Sequence, residues 1–178
     1  VYLLVGPAMA FNLVIIFGFA LSAWGAWLLA YRLTGDAVSS GITMVIYGAS
    51  PHLLGQAYNG ISETMCAGWL PISLWALLYF LDRPNWKRAV GLGMAMAITM
   101  LTSWYYGLFA IFATAVVLIW RAVHQPWIQP WVRSLIRLTG AAVVGLLLVG
   151  PALLLFQSSL DAPDALVTRD PEFVAASL

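Results

Sequence analysis

Ser50-Pro51-His52-Leu53-Leu54-Gly55-Gln56-Ala57-Tyr58-Asn59-Gly60-Ile61-Ser62-Glu63-Thr64 is the longest polar break in a chain that is otherwise nearly all apolar. The runs on either side of it decide the fold. Of the 178 residues, 62% are hydrophobic and 8% charged. A soluble domain carries about 25% charged residues, so this chain cannot cover a water-facing surface and needs lipid around it. The net charge of +1 is spread without a basic stripe, which excludes a nucleic-acid reader.

A spanning helix takes roughly 20 apolar residues. Outward from the polar break, the spacing of apolar runs predicts an all-α, polytopic helical membrane protein with about six transmembrane spans. They fall at residues 8–33, 37–50, 63–81, 89–102, 107–120 and 138–156. Gly6-Pro7 opens the first, since proline suits the first turn of a helix. Thr34-Gly35-Asp36 reads as a turn, and the run after it is short, about 20 Å at 1.5 Å per residue. Pro51 ends or kinks that run. Asn59-Gly60 is a turn dipeptide. Ser62 is placed to cap a helix starting at Glu63, which Pro71 would kink. Ser103-Trp104-Tyr105-Tyr106-Gly107 reads as an uncharged aromatic hairpin, residues 121–137 as a polar connector, and residues 157–178 as a polar tail.

The charges orient these spans. With six alternating spans, Arg32, Arg83, Lys87, Arg88, Arg121, Arg133 and Arg137 fall on one side, and only Arg169 on the other. Lys and Arg collect in cytoplasmic loops. Residues 51–62, 103–107 and 157–178 are therefore expected outside the cytoplasm. Small residues repeat at packing intervals, at Ala89, Gly93 and Ala97 and again at Ala141 and Gly145. In lipid such residues let helices approach closely. The chain begins at Val1 inside an apolar run, without a charged leader and cleavage site, and reads as a piece of a longer protein.

Few residues can carry chemistry. Glu63 and His52 are the candidate catalytic groups. Glu63 is the only acid that lies neither in a basic loop nor in the tail, although a carboxylate in a helix's first turn is also favoured by the helix dipole. His52 is one of two histidines. It offers a base or a phosphate contact, or simply an interfacial polar group. Gln56, Tyr58 and Asn59 add donors and acceptors for a hydroxylated or anionic substrate. Trp104, Tyr105 and Tyr106 suit an interfacial belt or a stacking platform for a sugar ring. Asp161, Asp164, Asp170 and Glu172 cluster in the tail, where they suit a solvated extracytoplasmic loop or, alternatively, a metal site. No spacing matches a metal motif, and no metal ligand is assigned. The single cysteine, Cys66, forms no intrachain disulfide and reads as a small buried thiol. Span centres carry no charge, unlike the sites of many ion-coupled transporters.

Several stretches resemble large bacterial membrane proteins of the GT-C glycosyltransferase superfamily. They are Phe11-Asn12-Leu13 leading to Ala30-Tyr31-Arg32-Leu33-Thr34-Gly35, then Ser50-Pro51-His52-Leu53-Leu54-Gly55 followed by Trp69-Leu70-Pro71, then Ser103-Trp104-Tyr105-Tyr106-Gly107. The resemblance covers most of residues 7–120 and fades beyond. It implies an enzyme of the bacterial inner membrane that moves a sugar from a polyprenyl-phosphate carrier to an acceptor on the extracytoplasmic face. It also implies membrane lipid as a partner, an acidic residue in an early extracytoplasmic loop, and often a divalent metal. That loop would precede Val1, so the acid is carried onto no residue here. The competing expectations are a transporter or flippase segment without covalent chemistry, and a structural membrane subunit whose polar break docks a partner.

Overall fold

The structure, a computed structural model, describes residues 6–61, 65–124 and 130–160. Every regular element among them is helical: α1 (Pro7–Thr34), α2 (Ala37–Gly48), α3 (Pro51–Tyr58), α4 (Trp69–Asp82), α5 (Trp86–Thr102), α6 (Trp104–His124) and α7 (Pro130–Leu160). The chain is a helical membrane protein. Three stretches are long and apolar enough to cross a bilayer: Ala8–Thr34, Trp104–His124 and Ser134–Ser158. Large apolar side chains such as Phe112, Ile119, Leu147 and Leu155 are more than 60% exposed on α6 and α7. In water so much apolar surface would drive association; in lipid it is a solvated face.

Local chemistry sets the helix ends. Pro7 and Pro51 occupy first turns, where no backbone N–H is needed. Asp36, Ser50 and Asn85 cap α2, α3 and α5 by accepting from the N–H of Ser39, Leu53 and Arg88. α1 stops at Gly35, whose positive φ of 68° provides a left-handed cap bonded back to Tyr31.

Several expected boundaries move. The helix expected from Glu63 begins at Trp69, after a turn over residues 65–68, and residues 62–64 lie outside the described residues. Pro71 therefore falls in the first turn of α4, where it costs no hydrogen bond and need not kink the helix. The aromatic hairpin reduces to one extended residue, Ser103, with α6 starting at Trp104. The connector shrinks from both sides, because α6 runs to His124 and α7 already begins at Pro130. The last helix continues past Phe156 to Leu160, and the remainder of the tail is outside the described residues.

Close backbone contacts set the packing. α4 runs parallel to α1. A Cβ on Gly68 would strike the backbone of Leu21 and Ser22, one on Gly25 would meet Gly68 O at 2.6 Å, and one on Gly18 would meet Met65 O at 2.7 Å. At the far end Arg32 pairs with Asp82. Gly48 lies against Ala23, so α2 reaches only the middle of α1. α5 packs antiparallel to α4, with the Thr99 hydroxyl 3.1 Å from Trp69 O. Phe80, Leu77, Ala89 and Leu92 fill that interface. α7 lies parallel to α5: Trp86 covers Gly140, and Gly93 meets Ala141 and Val144. The Ala89/Gly93/Ala97 stripe thus does what its spacing predicts.

α3, inside the expected polar break, is a helix that the apolar runs do not predict; the other six overlap the expected spans, and three of them are short. α2, α4 and α5 have 12, 14 and 17 residues. The link between α2 and α4 turns at the level of Gly18 to Ser22, roughly 18 Å along α1 from its start. The bundle is therefore recessed at this end. At the other end the contacts gather Arg32, Arg83, Lys87, Arg88, Arg121 and Arg137, where Arg137 donates to Pro84 O.

Candidate functional site

The recess is built around α3. Ser50 caps it, Pro51 starts it, and Leu53, 1% exposed, anchors it against Ala67, Phe19 and Tyr106. One side of this short helix is thereby fixed, which aims the neighbouring His52 at α6. A 3.2 Å hydrogen bond joins His52 Nε2 and the Tyr106 hydroxyl across 54 positions of sequence. With the ring proton on Nδ1, the Tyr106 O–H donates to Nε2. With the proton on Nε2, the ring N–H donates to the hydroxyl oxygen. His52 is exposed, whereas Tyr106 is 7% exposed. A buried tyrosine therefore orients an accessible imidazole, an arrangement suited to accepting or giving a proton or to contacting an anion.

Gln56 lies one turn beyond His52, on the same face of α3. Its Oε1 is enclosed and has no hydrogen-bond partner among the described residues. The Tyr47 hydroxyl closes the neighbouring turn by donating to Ala67 O at 3.1 Å. Tyr47 and Cys66 both lie at this turn, beside the Ala67 that packs against Tyr106. Neither was singled out in sequence as part of this site, because both sit in apolar runs and reach it only through the turn at 65–68. Ser103, 7% exposed, supplies the bend that presents Tyr106.

The other candidates separate. Tyr58 is 92% exposed at the end of α3. Asn59 caps that helix, with Nδ2 donating to Gly55 O at 2.8 Å. Trp104 and Tyr105 stand exposed on the first turn of α6 beside Tyr106. Glu63 lies outside the described residues, as do Asp161, Asp164, Asp170 and Glu172. Among the described residues no three His, Cys, Asp or Glu side chains come together. Around His52 they offer one imidazole and no carboxylate, which does not fit a hard divalent cation.

Beside the recess, α5, α6 and α7 line a partly open apolar cleft of about 400 Å³. Met96, Met100, Ile111, Leu146 and Val149 line it, together with Gly107, the residue after Tyr106. The enclosed Thr114 hydroxyl in this cleft has no partner among the described residues. The polar site and the cleft therefore meet at the first turn of α6. Compared with protein-family models, curated proteins and solved structures, the chain finds no match in any of the three.

Proposed function

We propose that the chain is part of a GT-C-like integral membrane glycosyltransferase that transfers a sugar from a polyprenyl-phosphate carrier to an acceptor on the extracytoplasmic face of a bacterial inner membrane. The observation that carries this reading is the His52–Tyr106 hydrogen bond. It joins the polar break to the aromatic turn in a recess beside an apolar cleft. Transfer from a lipid carrier needs polar groups at membrane depth next to an apolar path, and the two adjoin here. The distribution of charge supports the orientation. Six cations gather at the opposite end of the bundle, and cations favour the cytoplasmic side.

In this reading His52 handles the proton of the acceptor hydroxyl or contacts the carrier phosphate. Tyr106 positions the imidazole. Gln56 accepts from sugar hydroxyls once its side chain turns outward, and Trp104 and Tyr105 stack on the sugar ring. Glu63, three residues after Gly60, is the acidic candidate that the sequence supplies. No step is routed through a metal.

The test is transfer of labelled sugar from polyprenyl phosphate by membranes carrying the protein. His52→Gln is expected to lower transfer by at least about 100-fold, the usual scale for a general acid or base, at unchanged expression. Glu63→Gln is expected to lower it severely. Tyr106→Phe removes one hydrogen bond worth about 1 kcal/mol and is expected to cost about five-fold. Full activity of His52→Gln would overturn the site. Carrier movement across liposomes with no transferred sugar would replace the reading with a flippase.

A further inference from the structure

The cationic end divides into residues the fold consumes and residues it leaves free. Arg88 donates to Tyr79 O at 2.7 Å, and its guanidinium lies 3.7 Å from the centre of the Tyr79 ring. Arg32 pairs with Asp82 and lies 5.8 Å from the centre of the same ring. Arg137 is held by Pro84 O, and Arg121 also has a partner within the chain. The two acids at this end are occupied as well, Asp82 by Arg32 and Asp36 by the Ser39 N–H.

Arg83 and Lys87 differ from all of these. Both are exposed, and neither has a hydrogen-bond or ion-pair partner among the described residues. Arg83 precedes α5 and Lys87 lies in its first turn, on either side of Trp86. That indole is 56% exposed and rests on Gly140. Tryptophan favours headgroup depth, so it marks the plane in which the two free cations lie. Six cations face two already paired acids at this end of the described bundle, and the complementary partner is an anion in that plane.

We propose that Arg83 and Lys87 form a docking surface for the phosphate headgroups of anionic phospholipids, with Trp86 setting the depth. Each cation near an anionic membrane surface contributes about a five-fold gain in affinity, so the pair contributes about 30-fold. The surface is separate from the His52 recess and does not depend on glycosyl transfer.

The experiment follows thermal unfolding of the purified full chain in neutral detergent while phosphatidylglycerol or phosphatidylcholine is titrated in at low salt. Phosphatidylglycerol is expected to raise the midpoint saturably and phosphatidylcholine is not. Salt at about 1 M, where screening acts within about 3 Å, is expected to remove most of the shift. The double variant Arg83→Gln/Lys87→Gln is expected to keep its lipid-free midpoint, since neither side chain has a partner within the described bundle. Its phosphatidylglycerol response should move to about 30-fold higher lipid. The charge-conserving Arg83→Lys/Lys87→Arg should respond like the parent. An unchanged response in the double glutamine variant would overturn the proposal. So would inorganic phosphate reproducing the shift at equal concentration, because the surface would then be reading a soluble anion.

Discussion

α3 and α4 begin alike and end up held in opposite ways. Both carry a proline in the first turn, and both follow a break in an apolar run. α4 buries seven of its 14 residues, among them Pro71, Ile72, Ala76, Leu77 and Phe80, and its lead-in Gly68 touches the backbone of α1. α3 buries one residue of eight, Leu53, and adds a single side-chain bond to α6 through His52. In lipid, helices associate through close packing and polar contacts, not through expulsion of water. Backbone contact at glycine therefore secures α4. α3, with one anchor, keeps most of its surface and its imidazole available. Elements with few buried contacts open most readily, so α3 is expected to be the more mobile of the two.

The contrast can be broken most severely at Gly68. A side chain there collides with Leu21 and Ser22 backbone atoms, which cannot rotate away. Gly68→Leu is expected to lose most of the folded, monodisperse protein on detergent extraction, with overpacking costs above the usual range of about 1–3 kcal/mol. Recovery of folded protein near the parent's yield would show that α1 and α4 are not locked by this contact.

A smaller effect is expected at Leu53. Leu53→Ala opens a cavity under α3 at a cost of about 2–3 kcal/mol, the low end for a buried leucine. Because α3 has no other buried anchor, the loss should stay local. Hydrogen exchange should rise in residues 51–58 and remain unchanged in α4. Equal deprotection of both helices would mean that they form one cooperative unit.

The smallest effect concerns Asp36, the exposed cap of α2. Hydrogen bonds from the Ser39 side chain and backbone hold its carboxyl below the usual carboxylate range. A lowered folded-state pKa means that its stabilisation is complete above the unfolded value and fades as pH falls through the folded one. Asp36→Asn keeps a capping oxygen but removes the charge. It should flatten the acid limb of the unfolding curve slightly and lower the midpoint at neutral pH by the same small amount, since the stabilisation it removes is the one present there. An identical acid limb in parent and variant would remove Asp36 from the pH response.

The boundaries that moved share one cause. Apolar runs mark where a helix can lie in lipid, but not where the neighbouring helix stops. Residues 63–81 read as one span because nothing local breaks them before Pro71. Gly68 on Leu21 instead forces a turn, and α4 begins only at Trp69. Ser103 to Gly107 read as a hairpin from their composition, yet Gly107 packs on Met100 within a helix, and Ser103 alone makes the bend.

The sequence by itself determined the helical membrane class, the packing role of Ala89, Gly93 and Ala97, and the segregation of cations to alternate loops, but not α3, which lies in the stretch that reads as a polar break. What it determined follows from composition and periodicity, which are local properties. It also supplied His52, Gln56 and Tyr106 as candidates, but not their relation. Only the tertiary structure decided that His52 meets Tyr106, that Tyr58 and Asn59 stand apart, and that Arg83 and Lys87 remain free while Arg32 and Arg88 are consumed around Tyr79. A contact between residues 54 positions apart depends on how far α2 climbs along α1 before the chain turns. Gly18, Gly25 and Gly48 set that height by the closeness of approach they permit, and no period in the sequence encodes it.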